Sequence, residues 1–243
     1  RVPRDHQGKP AAMKALILAR REIVEQYSDR ASIVRALFLV ALPIVVIQLN
    51  RAAAGSPDSF ILLFALQAAL LPAATAINAA AGSFAAEKEA QTLVPLLAAP
   101  IRDIEIVAGK LIAVMVPAAV LSIVSLLTYH AAASQRFGAA RVAQVLDPVT
   151  TLELFGLSVL FILTLGSWVM VVSARVPSQR AAQQLAGLVL AGVVVGLSAI
   201  SSLIGNVPTG LIIGGIAAVL VSDVIALQLA QRLWNREEAV ARL

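Results

Sequence analysis

Six stretches of this chain are each about 20 residues long and almost free of charge, and that pattern constrains the fold more than any other feature. A bilayer core of about 30 Å is crossed by roughly 20 helical residues. The stretches run from Ala36 to Ala54, Phe60 to Phe84, Leu111 to Tyr129, Leu154 to Ala174, Leu185 to Gly205, and Pro208 to Ala230. Little more than Asn206 and Val207 separates the last two, which predicts a tight hairpin. Lipid offers the backbone no hydrogen bonds, so only helices or a closed barrel can span it. A barrel strand would alternate apolar and polar residues over about ten positions. No such alternation is present, and the stretches are rich in Ala, Val, Leu and Ile. The composition agrees: 59% of the 243 residues are hydrophobic and 14% are charged, against about 25% charged in a typical soluble domain. The expected fold class is all-α integral membrane, with six transmembrane helices.

The basic residues orient these helices. Lys and Arg gather in the loops that stay in the cytoplasm. With the N-terminus inside, eight precede the first span, from Arg1 to Arg35. Lys88, Arg102, Lys110, Arg175, Arg180, Arg232, Arg236 and Arg242 bring the inside total to sixteen. Only Arg51, Arg136 and Arg141 fall outside. Both termini are therefore expected in the cytoplasm, with Arg35 and Arg51 placed to snorkel at the ends of the first span. The net charge of +5 lies between the apolar stretches and forms no single patch, which argues against nucleic acid as a partner. Without cysteine, and with only His6 and His130, no Cys/His metal cluster, disulfide or thiol nucleophile can be built. The polar N-terminus has no secretory-signal pattern. The chain begins at Arg1 and not at Met, so residues missing before it are to be expected.

The spans carry few features of their own. Pro43, Pro72 and Pro117 lie within them and are candidate kinks. Gly192 and Gly196, and Gly210 and Gly214, have the small-residue spacing that lets helices approach closely, within or between subunits. Asp223 is the one acidic residue well inside a span. An intramembrane carboxylate is either a functional group or a buried one bonded to a neighbouring helix. Gln67, Asn78 and Ser83 put polar groups on the second span, where interhelical bonding competes with a role on a translocation path. His130 and Glu153 bound the segment between the third and fourth spans and read as solvated edge residues.

Two segments are neither span nor simple loop. From Met13 to Asp29 a helix would place Met13, Leu16, Ile17, Ile23, Val24 and Tyr27 on one face and Glu22, Glu25, Gln26 and Asp29 on the other. Arg20 interrupts the apolar arc. Such a helix suits the cytoplasmic membrane interface. The connector between the second and third spans begins with Glu87-Lys88-Glu89, presents Leu93, Val94, Leu96 and Leu97 as an apolar patch, and closes at Pro100. That patch suits a short amphipathic helix that meets a protein partner or the headgroups.

Glu87-Lys88-Glu89, Thr92-Leu93, Leu96-Leu97 and Pro100, followed by Gly109-Lys110 at the third span, resemble the signature of ABC-2 type transporter permeases. Ser178 and Ala181-Ala182-Gln183 are similar to the family's second cytoplasmic loop, and the N-terminal segment to its elbow helix. The resemblance covers nearly the whole chain. Two residues depart from the pattern: Gln91 stands where the family usually has Gly, and Pro95 where it often has Glu. Pro95 lacks a backbone donor and is expected to break that helix after one turn.

The resemblance implies an N-terminal tail and elbow helix over 1–35, a six-helix domain over 36–232 with a coupling helix at about 86–100, and a cytoplasmic tail over 233–243. It implies a permease pairing with a second copy of itself or a homologous permease in the cell (inner) membrane. Each permease would dock an ATP-binding cassette ATPase subunit through Glu87, Lys88, Glu89, Thr92, Leu93, Leu96, Leu97 and Pro100. No Gly-x-x-x-x-Gly-Lys-Ser/Thr phosphate loop is present, so ATP and Mg belong to that partner and the chain itself carries no cofactor or catalytic residue. The substrate would be exported, and the low charge of the spans points toward an amphipathic or lipid-like cargo. Candidate path residues are Asp223, Gln67 and Asn78. Two other classes compete. A secondary transporter or channel would show a midplane set of charges or repeated broken helices, and only Asp223 fits that description. An intramembrane protease could use Glu237-Glu238 with Arg242, or Ser198 after Gly196, but these lack an intramembrane His.

Overall fold

The computed structural model describes residues 11–49, 57–89, 102–188 and 209–233. All regular structure among them is helical, in the order α1 (Ala11–Gln26), α2 (Arg30–Leu49), α3 (Pro57–Leu70), α4 (Ala73–Glu89), α5 (Asp103–Phe137), α6 (Ala139–Val145), α7 (Pro148–Arg175) and α8 (Thr209–Leu233). Residues 179–188 are helical as well.

Five segments are long and apolar enough to cross a membrane: Arg30–Leu49, Pro57–Glu89, Asp103–Phe137, Pro148–Arg175 and Gly214–Arg232. They correspond to the first, second, third, fourth and sixth expected spans. The fifth, Leu185 to Gly205, lies outside the described residues apart from its first turn, which is helical. Gly192, Gly196 and the Asn206-Val207 turn lie outside them too.

The helices start where their caps are, not where hydropathy rises. The Asp29 carboxylate accepts the Ala31 N–H at 3.1 Å and so opens α2. Arg35 consequently falls inside α2, where its guanidinium bonds back to the Ala31 carbonyl and the Ser32 hydroxyl. Glu105 reaches back to the Arg102 N–H at 2.9 Å, half of a capping box, and starts α5 ahead of Leu111. Asp147 caps α7 by accepting the Thr150 N–H at 2.8 Å, with Pro148 at the first helical position. Of the three prolines, Pro43 and Pro117 stay within continuous helices. Pro72 marks an interruption: Leu71 and Pro72 form a turn between α3 and α4, and the Pro72 carbonyl accepts the Thr75 hydroxyl at 2.7 Å.

The chain divides into two compact units. One comprises 23–76 and 115–162. Its core includes Ile47, Ile61, Phe64, Leu126, Tyr129 and Val142. The Tyr129 hydroxyl donates to the Ile61 carbonyl at 2.8 Å. The Ser122 hydroxyl donates to the Ala69 carbonyl at 2.7 Å and lies 2.8 Å from that of Ser158. Hydroxyl contacts of this kind join helices where lipid gives no hydrophobic drive to do so. Gly138, with φ of +89°, turns the chain from α5 into the short α6, a conformation that disfavours any residue with a Cβ.

The other unit comprises 1–22, 77–114 and 163–243, and in it lie the residues that carried the family resemblance. Its described parts include most of α1, the end of α4, the start of α5, the end of α7 and α8. Ala15, Leu18 and Ala19 of α1 are buried, whereas Met13, Leu16, Ile17 and Val24 are exposed. Four of the six residues in the apolar arc expected from the sequence thus face outward, Ile23 and Tyr27 are half-buried, and a second face formed by Ala15, Leu18 and Ala19 packs inward. That packing is close: a Cβ added at Gly109 of α5 would lie 2.8 Å from the Ala15 carbonyl oxygen and 3.2 Å from Leu18 Cβ.

Candidate functional site: the ends of the connector between α4 and α5

Glu87, Lys88 and Glu89 form the last turn of α4, and each points somewhere different because successive helical residues rotate by about 100°. Glu89 is exposed. The Lys88 ammonium donates to the Ala174 carbonyl, with the Ser173 and Val176 carbonyls at 3.5 and 3.4 Å. It thereby binds the C-terminal end of α7, where unsatisfied carbonyls carry partial negative charge. The Glu87 carboxylate turns to Lys110.

Lys110 is the centre of the arrangement. Its side chain is 0% exposed, and its ammonium bonds to Glu22 Oε1 at 2.9 Å, Glu87 Oε1 at 2.8 Å and the Ser83 carbonyl at 2.6 Å. An ammonium has three N–H donors, and all three are used. Burying such a charge without partners would cost several kcal/mol, and it is tolerated only when paired and hydrogen-bonded. The Phe84 ring stands 5.4 Å from the ammonium and supplies a further cation–π contact. Three helices therefore converge on one cation: α1 through Glu22, α4 through Ser83 and Glu87, and α5 through Lys110 itself. Glu87 Oε2 is also buried and has no hydrogen-bond partner among the described residues.

A second set of bonds ties α4 to α7. The Ser173 hydroxyl accepts the Phe84 and Ala85 N–H groups at 3.1 and 3.0 Å and donates to the Ala81 carbonyl at 2.8 Å. A side chain thus enters the backbone ladder of α4 just before its charged last turn. Beyond α7, Ser178 accepts the Ala181 N–H at 3.2 Å and caps the helical residues 179–188.

The remaining candidates lie elsewhere. Thr92, Leu93, Leu96, Leu97 and Pro100, like Pro95 and Gln91, fall outside the described residues. Gln67 of α3 is exposed, and Asn78 of α4 is half-buried. Asp223 of α8 is 2% exposed; its Oδ2 accepts the Thr164 hydroxyl of α7 at 3.1 Å, and its Oδ1 has no partner among the described residues. One residue before it, Ser222 accepts the Trp168 indole N–H of α7 at 3.1 Å. Among the described residues no three His, Cys, Asp or Glu side chains come together as a metal site would require.

On the helical wheel Glu22 falls on the face opposite the apolar arc of α1, and the sequence pattern names no partner for Lys88. Glu22 and Lys110 are 88 positions apart, so no local pattern links them. The one available signal was Gly109-Lys110, a glycine beside a lysine at the mouth of a span.

A protein-family model described as ABC-2 type transporter matches residues 13–195. The chain belongs to that family. The match takes in α1, both flanks of the α4–α5 connector, the Lys110 cluster and the cap at Ser178, and it ends before α8. This ABC-2 family chain is a transporter's membrane subunit, a multi-pass permease and not itself a catalyst. No curated protein matches the ABC-2 chain.

Proposed function

We propose that the chain is the permease of an ATP-driven exporter, and that it works as one of a pair. Each permease docks a separate ATP-hydrolysing subunit through the connector between α4 and α5. The observation that supports this most is the attachment of both flanks of that connector. Glu87 and Lys88 precede it and Lys110 follows it, and their charges are tied to α1, α5 and the end of α7. A connector needed only to join two spans would not require its flanking charges to be buried and paired. A connector that transmits force needs firm ends.

Within it, Leu93, Leu96 and Leu97 are the apolar contacts offered to the ATPase. Each large apolar side chain buried there is worth about 1.5–3 kcal/mol, enough together to hold a partner. Thr92 and Pro100 belong to the same docking signature, and Glu89, exposed at the end of α4, stands at its edge. ATP and Mg bind the partner subunit. The sixteen-to-three distribution of Lys and Arg supports a cytoplasmic position for this connector and both termini. Asp223, with Gln67 and Asn78, is the candidate contact for a cargo of amphipathic or lipid-like character.

The test is purification of the tagged full chain from its native membrane in mild detergent. A co-purifying ATPase, lost when Leu93, Leu96 and Leu97 are together changed to Asp, is the expected result. A wild-type chain that purifies without any ATPase under these conditions overturns the proposal.

A further inference from the structure

We propose that Glu22 is a positioning residue for transport: it holds Lys110 from the side of α1, and so makes α1 move with the two ends of the α4–α5 connector. The inference rests on the exporter reading above and adds to it a residue and an element that carry no such role there.

Two independent features place α1 on the start of α5. The first is steric. At Gly109 the α1 backbone comes so near that a Cβ would meet the Ala15 carbonyl oxygen at 2.8 Å. The second is electrostatic and lies one residue further along. The Lys110 ammonium is buried and saturated, and one of its three bonds crosses to Glu22. Remove that bond, and a buried ammonium keeps one donor without its acceptor, in a place from which water is largely excluded.

The stoichiometry is informative. One cation faces two carboxylates, Glu22 at 2.9 Å and Glu87 at 2.8 Å, and neither carboxylate is wholly buried, at 28% and 20% exposed. A single pair would suffice to neutralise Lys110. The extra carboxylate lets Lys110 stay paired with α1 if the end of α4 and the start of α5 separate. Glu87, whose Oε2 has no partner among the described residues, is then the member that moves with the end of α4. Glu22 keeps the buried charge compensated throughout, so that α1 and α5 travel as one body. Arg21 of α1 also attracts the Glu87 carboxylate through its charge, but as cations neither it nor Lys14 can accept from the Lys110 ammonium, whose three donors are taken by Glu22, Glu87 and Ser83.

The experiment uses the full chain with its co-purified ATPase in lipid nanodiscs, comparing wild type with Glu22→Gln and with the charge-retaining Glu22→Asp, which keeps one cation and two carboxylates. Two quantities are read: amide hydrogen exchange over residues 11–26 and 102–110, and the kcat and KM of the bound ATPase for ATP. Glu22→Gln is expected to speed exchange in both segments about tenfold and to lower kcat several-fold at unchanged KM, with the ATPase still bound. The charge-retaining variant is expected to recover both. Unchanged exchange overturns the contact, and faster exchange at unchanged kcat overturns the positioning role. Failure of the charge-retaining variant to recover kcat overturns it as well. If wild type brings no ATPase, the exporter reading fails by itself, while the exchange measurement still decides whether Glu22 holds α1.

Discussion

Substituting Gly109 with Ala tests the closest approach between α1 and α5. The added Cβ would stand 2.8 Å from the Ala15 carbonyl oxygen, 3.1 Å from Leu18 Cδ2 and 3.2 Å from Leu18 Cβ. The tightest of these is backbone, so no rotamer change relieves it, and α1 as a whole must shift by a few tenths of an ångström. Overpacking of this kind costs about 1–3 kcal/mol. Against it stands the gain of about 0.5–1 kcal/mol from replacing glycine by alanine within a helix. Gly156, in α7, separates the two effects, because nothing among the described residues lies within 4 Å of its added Cβ and only the gain applies. The two variants should therefore differ in stability by the overpacking term, about 1–3 kcal/mol. For a chain of this size each kcal/mol is worth about 2–4 °C in melting temperature. The assay is thermal unfolding of both full-length variants in one detergent, with hydrogen exchange over α1 to localise the change. Gly109→Ala should melt several degrees below Gly156→Ala and show faster exchange in α1. If Gly109→Ala melts with Gly156→Ala or above it, α1 does not pack on Gly109 as described.

Three further outcomes are expected. Tyr129→Phe removes the hydroxyl that donates to the Ile61 carbonyl in a buried position and should lower stability by about 0.5–1.5 kcal/mol without altering helix content by circular dichroism. Ser122→Ala and Ser158→Ala, whose hydroxyls are 2.8 Å apart, should prove non-additive by a few tenths of a kcal/mol to about 1 kcal/mol in a double-mutant cycle of melting. Asp147 is held below the usual carboxylate range by its bonds from Thr150, first from the side chain and then from the backbone. A depressed acid stabilises the folded state above its unfolded pKa, near 3.9, and loses that contribution as pH falls through its folded value. The melting advantage of wild type over Asp147→Asn should accordingly be full at pH 6 and shrink below about pH 4, and an advantage that persists unchanged at pH 3 would contradict the cap.

How much of this was legible in advance differs by kind of feature. The spans around Pro43, Ala65, Pro117 and Ile162 could be placed from one-dimensional apolar runs, because transfer into lipid depends on each segment's own side chains and on backbone bonds closed within four residues. Helix ends were displaced outward, since the caps at Asp29, Glu105 and Asp147 lie in polar sequence that hydropathy does not count. The family signature was also legible, as residue types at fixed spacing over the connector and at Gly109-Lys110, and the family match spans it.

The destinations of the charges were not legible. Glu87 and Lys88 are neighbours in the chain, yet one turns to Lys110 and the other to the carbonyls that end α7. Glu22 lies on the polar face of its own helix and becomes one of a buried cation's three partners only because α1 lies across Gly109. Asp223 could be flagged as an intramembrane acid, but its partner Thr164 could not be named. The sequence by itself determined that the chain crosses the membrane as helices and which family it joins, since solvation in lipid and residue spacing are properties of single segments. Only the tertiary structure decided which charges meet, because a buried ion pair between positions 88 residues apart exists only once two separate helices have been brought within about 3 Å of one another.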